Sequence, residues 1–170
     1  LLSDRSNVRF ILGAPIDMTV RLLYINPSPD RSERSILNRL SSMGVVIRAL
    51  VSPEALATNK ADFELIDAHP IVFRGRISIT NIRTISRHLK YFNPNVSYFL
   101  TNQALTNGLI ACKGSTTKVI AYRGIGANFS IFNPMAWMRY LNPRVDKIIC
   151  VCKPIEESLK KTLYFKYIAP

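Results

Sequence analysis

The chain has 170 residues, 48% of them apolar and 20% charged, the proportions of a folded domain with a real core and not of a disordered segment. Its uncharged apolar runs, such as Ile148 to Cys152, fall far short of the roughly 20 residues that a membrane-spanning helix needs. The formal net charge is +12, from 23 basic and 11 acidic residues, so the partners to look for are anions.

Residues 1–17 read as a non-native or upstream leader. "RFILGAPI" is apolar, but Asp4 precedes it and Asp17 follows it, and it lacks the long core of a secretory signal. Met18 then opens "TVRLLYIN", an expected natural start. Peptides from this leader in digests of the native protein would remove that expectation. "RLLYIN" (21–26) predicts a buried parallel strand. From Ser32 to Met43, Ile36, Leu37, Leu40 and Met43 fall at helical spacing, with Gly44 as the stop. "VVIRALV" (45–51) predicts the second strand, Glu54 to Ala68 a helix, and "PIVFR" (70–74) a short strand.

Ile82, Ile85, Leu89 and Phe92 mark one face of a helix that Asn93-Pro94 ends. "VSYFL" (96–100) predicts a strand, Asn102 to Cys112 a helix closed by Gly114, and "KVIAYRGI" (118–125) a further strand. A short helix around Met135 to Leu141 leads to "KIICVC", expected as an interior strand buried on both faces. The last helix is well marked. Pro154 suits its first turn, Glu156 and Glu157 its positive end, Lys160 and Lys161 its other end. Strands alternating with helices predict an α/β fold, a three-layer Rossmann-like domain with a mainly parallel sheet, whose ligands bind beyond the carboxyl ends of the strands.

Cys112, Cys150 and Cys152 show no C-x-x-C spacing. They are expected to be buried small hydrophobes in a reducing, cytoplasmic setting. His69 and His88 have no neighbours at metal-ligand spacing, and no metal is expected. "GIGANFS" (124–130) offers a G-x-G, but Ser130 stands where a third glycine would, which argues against a dinucleotide fingerprint. Between Asp67 and Asp146 there is no carboxylate, while ten cations fall in that interval. Among them Arg83, Arg87 and Lys90 recur beside the apolar stripe of one helix. That face is either solvated or set against anionic lipid at the inner membrane face. No DNA or RNA motif accompanies the charge, and no specific nucleic acid is expected.

The residues directly after the strands define a rim: "NPSPDRSERS" (26–35), "TNQ" (101–103), "YRGIGANFS" (122–130) and "KP" (153–154). On it stand Asp30, Arg31, Ser32, Glu33, Thr101, Asn102, Arg123 and Gly124. Each has a plain reading beside the functional one. Asp30 and Ser32 suit helix N-caps, Glu33 a first-turn carboxylate complementing the helix dipole, Thr101 and Asn102 a cap, and Arg123-Gly124 a turn.

Together "RLLYIN…SERSILNRLSSMGVVIRALV", "KVIAYRGI" and "YLNPRVDKIICVCKPIEESLKK" resemble the N-terminal, acceptor-side domain of GT-B glycosyltransferases of family 4. Ser32-Glu33-Arg34 falls where that family has Ala-Glu-Arg, and Leu40 to Gly44 fits the end of its first helix. The resemblance implies one half of a retaining glycosyltransferase that moves sugar from a nucleotide-sugar to a glycan or lipid-linked acceptor. It also implies a separate donor-binding domain, which would begin where "FKYIAP" ends this sequence. No cofactor is expected in this chain, since the donor needs that second domain. Departures are clear. Asp30-Arg31 replaces a Gly-Gly pair that lets backbone approach phosphate closely, Thr101-Asn102 stands where His is frequent, and Cys152-Lys153 where Ser is. The competing expectation is a non-catalytic module that binds anions or a membrane surface.

Overall fold

The structure, a computed structural model, describes residues 19–124 and 134–168, with side chains described at all of these but 135, 136 and 162–168. The expected leader lies outside the described residues. Six strands, β1 (Arg21–Ile25), β2 (Val46–Val51), β3 (Asp67–Pro70), β4 (Val96–Phe99), β5 (Lys118–Arg123) and β6 (Lys147–Cys150), form one sheet in the order β3-β2-β1-β4-β5-β6. Every neighbouring pair is parallel. The helices are α1 (Arg31–Ser42), α2 (Pro53–Thr58), α3 (Ile79–Phe92), α4 (Asn102–Ala111), α5 (Pro134–Arg139) and α6 (Lys153–Ile168), with a 3-10 turn at Lys60–Phe63. The expected three-layer Rossmann-like architecture is what the chain adopts.

The central strand shows why "RLLYI" reads as an unbroken apolar run. Leu23 and Ile25 pack under α3 and α4 with Leu50, Ile85, Leu89 and Phe99, while Leu22 and Tyr24 point to α1 with Leu37, Ile47 and Val51. Burial of each such side chain stabilises the fold by about 1.5–3 kcal/mol. The chain reverses direction across the sheet between β1 and β4, so the loops after these two strands part and leave a crevice at the carboxyl end.

Four expectations need correction. The helix over Glu54 to Ala68 is α2 plus a 3-10 turn, because Asn59 leaves helical geometry and returns its Nδ2 to the Ala55 carbonyl at 3.1 Å. The third strand is "DAHP", not "PIVFR". Its register is set by Arg48 opposite Asp67, an ion pair at 2.6 Å, and the chain leaves the sheet after Pro70 and Ile71.

"KIICVC" is an edge strand that ends at Cys150, with Ile149 45% and Val151 57% exposed. An apolar run records a capacity for burial, and here the face that carries Ile149 opens onto a groove. Of the cysteines only Cys112 is buried, its thiol pushed up to about 12 by burial; Cys150 is half-buried and Cys152 exposed. The lead-in "PRVD" is a clip. Asp146 accepts from Val119 N at 2.8 Å and pairs with Lys118 and Arg144, and Arg144 also donates to the carbonyls of Ser115 and Thr117.

At the β3 edge of the sheet, His88 of α3 lies 4.9 Å from His69, ring to ring. His69 Nε2 is 2.8 Å from Asp67, near enough for an ion pair when protonated but out of line for a hydrogen bond. Burial, then the nearby His69 and Arg48, lower the pKa of His88 to about 4. The unfolded chain takes up this proton near pH 6.5 and the folded chain does not, so stability present above that pH is lost as pH falls toward 4. With the ring half-buried, the expected loss is about 1–2 kcal/mol. Urea midpoints of the wild type and His88→Leu at pH 7 and pH 5 check this. The variant should lose less on acidification, and equal losses would refute the assignment.

Candidate functional site

The carboxyl ends of β1, β4 and β5 converge on the crevice. Asn26 follows β1 and is 7% exposed. Asp30 then caps α1 in a capping box: its Oδ1 accepts from Glu33 N at 2.8 Å, and Glu33 Oε2 accepts from Asp30 N at 3.1 Å. The same Oε2 accepts from Asn26 Nδ2 at 2.7 Å and from Tyr24 Oη at 3.0 Å. One carboxylate oxygen therefore satisfies three donors, two of them on buried side chains. Burial, then Glu33, raises the Tyr24 phenol far above its ordinary value, so it stays a protonated donor. Tyr98 is pushed up to about 12 by burial and by Glu33.

Tyr24 and Tyr98 are register partners on adjacent strands and meet edge to face at 6.1 Å. Tyr122 lies at the same parity on β5. The three phenols end a groove of about 530 Å³ along the α1 side of the sheet, whose apolar floor includes Leu100, Ile120 and Ile149. Next to it, between the ends of β4 and β5, lies a second hollow of about 230 Å³ that shares Leu100 and Tyr122 with the first. There Thr101 caps α4 by accepting from Ala104 N at 3.1 Å. Tyr140 donates to Asn102 Oδ1 at 2.9 Å, and the Arg123 guanidinium stands over the Tyr140 ring at 4.7 Å. Gly124 closes the hollow, where a Cβ would come within 3.1 Å of the Tyr122 ring.

The expected rim residues thus gather into two adjoining groups. Asp30, Ser32 and Glu33 line the groove, and Thr101, Asn102, Arg123 and Gly124 line the hollow. Arg31 is exposed on the first turn of α1 and lines neither. Asp30 and Thr101 hold the N-cap roles, and Ser32 does not cap. Residues 125–130 of "GIGANFS" lie outside the described residues. Arg83, Arg87 and Lys90 stand exposed on the outer side of α3, away from the crevice. Among the described residues no group of three or more His, Cys, Asp or Glu is placed to hold a metal, and no helix is long and apolar enough to cross a membrane.

Tyr24, Tyr98, Tyr122 and Tyr140 are not singled out by any sequence pattern. Three of them sit inside strands, where the period-2 pattern marks them as core, and only the pairing of Tyr24 with Tyr98 aligns them at one end of the sheet.

In a fold of this strand order, a pyrophosphate would sit at the N-terminus of α1. Here that end carries Asp30 and Glu33, whose charges repel phosphate and whose side chains fill the approach that glycines would leave open. The crevice can instead offer flat aromatic faces, a carboxylate edge, an amide, a hydroxyl and a guanidinium.

No protein-family model matches the chain, and no curated protein matches it. Among solved structures, MT0777 superposes with a TM-score of 0.52 at 11% identity, over 88% of this chain and 99% of that one. At that identity the likeness is one of fold, a parallel α/β sheet flanked by helices.

Proposed function

We propose that this chain is the acceptor-side domain of a retaining, nucleotide-sugar-dependent glycosyltransferase of the GT-B kind, and that the groove and hollow hold the sugar of a glycan or lipid-linked acceptor. The observation that carries the reading is the pair of half-buried rings Tyr98 and Tyr122, with Tyr24 packed behind Tyr98, beside Glu33, Thr101, Asn102 and Arg123. Sugars are bound by such pairings of apolar ring faces with a few fixed polar groups. The capped carboxylates at α1 disfavour the donor's diphosphate, so the donor falls to a second domain facing this rim. The sequence resemblance supports the same division of labour. Transfer needs both substrates held in near-attack geometry, which half a cleft does not supply, so the chain alone is expected to bind without catalysing.

Saturation-transfer NMR on the purified chain tests this with a panel of di- and trisaccharides against uridine diphosphate. Saccharide signals are expected, weakened about tenfold in Tyr122→Ala, an effect at the upper end for one lost aromatic contact. Uridine diphosphate binding at the rim, with no saccharide response, would overturn the reading.

A further inference from the structure

We propose that the N-terminus of α3 carries a binding site for a phosphate group. A hollow of about 290 Å³ opens there, lined by Val72 and Arg74 from the loop after β3 and by Ser78, Thr80, Asn81 and Thr84 from the start of the helix. Asn81 is 4% exposed, yet its Nδ2 has no hydrogen-bond partner. Buried donors are almost always satisfied, and this one, on a residue that lines the hollow, lacks an acceptor.

The surroundings supply further donors of the same kind. Ser78 Oγ caps only the Asn81 amide, so the amides of Ile79 and Thr80 have no acceptor within the helix. The positive end of a 14-residue helix adds to their pull. The hydroxyls of Thr80 and Thr84 and the exposed Arg74 guanidinium complete the set, and no salt bridge engages Arg74 among the described residues. Such an array of donors matches a phosphate, which accepts at several oxygens at once.

No carboxylate lines the hollow. The sequence has none between Asp67 and Asp146, and Asp67, at the opposite end of β3, is engaged by Arg48. The contrast with α1, whose N-cap and first turn carry Asp30 and Glu33, is complete. The loop is also held in place before any ligand arrives. Asn107, fully buried, accepts from Ser78 N at 2.8 Å and donates to Arg76 O at 3.2 Å. Val72, Ile77 and Ile79 stand 51%, 55% and 66% exposed beside the hollow, so the phosphate could belong to a soluble ester or to a lipid headgroup whose acyl region these residues meet. The site is separate from the tyrosine rim and does not rest on the acceptor reading.

Titration of the isotope-labelled chain with inorganic phosphate, in enough sodium chloride to screen bulk attraction, is the test. Saturable shifts are expected at the Ile79 and Thr80 amides and the Asn81 side-chain amide. Asn81→Asp, which keeps the shape and reverses the preference, and Arg74→Gln, on the exposed loop, should each weaken the affinity about tenfold. Sedimentation with phosphatidylcholine vesicles, with and without phosphatidic acid, then separates the sources. Binding that needs phosphatidic acid and is displaced by inorganic phosphate assigns a lipid headgroup; phosphate binding without sedimentation assigns a soluble phosphate. Absence of saturable shifts, or affinity that both variants leave within twofold of the wild type, overturns the proposal.

Discussion

Gly108→Ala is expected to destabilise the fold by about 2–4 kcal/mol, although glycine to alanine inside a helix ordinarily gains about 1 kcal/mol. Gly108 sits in α4 where the helix crosses Phe99 of β4, and a Cβ there would overlap the Cε1, Cζ and Cδ1 carbons of the Phe99 ring. Carbon atoms in contact rest about 3.5–4 Å apart. Phe99 is fully buried, so the ring cannot swing away and the helix must lift from the sheet. Phe99→Leu in the same chain should recover at least about 1 kcal/mol of that loss, a coupling that distant sites do not show. Urea unfolding of the two single variants and the double variant measures it. A Gly108→Ala midpoint above that of the wild type would mean that α4 does not rest on β4 at this point. The seat of α4 matters for the site, because its first turn carries Thr101 and Asn102.

The elements were legible where burial imposes a pattern. Leu22 to Ile25 is apolar on both faces because both faces are covered, and Ile85, Leu89 and Phe92 recur at helical spacing because one side of α3 lies on the sheet. Sequence patterns failed where pairing, not burial, decides. β3 is held by one edge to β2 through Arg48 and Asp67, and nothing local in "DAHP" announces that register. β6 was misplaced for the opposite reason: its residues are apolar enough for an interior strand but occupy the edge. At the candidate site, the grouping of Asp30, Glu33, Thr101, Asn102, Arg123 and Gly124 was legible from their position at or after the carboxyl end of a strand. The tyrosines needed the strand register, and the open amide of Asn81 needed the fold itself, since in sequence it is one more polar residue near a helix start.

Glu33 offers the second large effect and separates support from recognition. Removing its carboxylate in Glu33→Ala would leave Tyr24, 1% exposed, and Asn26, 7% exposed, without their acceptor, and would open the capping box on Asp30. An unsatisfied buried donor costs about 1–3 kcal/mol and a lost cap about 1 kcal/mol, so a loss of about 3 kcal/mol is expected in thermal or urea unfolding. Glu33→Gln keeps an oxygen that can accept from all three donors and gives up only the charge at the helix end, for about 0.5–1 kcal/mol. Saccharide binding by this second variant is the decisive reading. Affinity within about threefold of the wild type is expected if the carboxylate serves to set the buried Tyr24 and Asn26 side chains behind the groove, because their positions survive the change. A loss of tenfold or more with the fold intact would instead place the charge itself against the bound sugar. Either result would still leave Glu33→Ala unstable, since three donors converge on one oxygen whatever the groove holds.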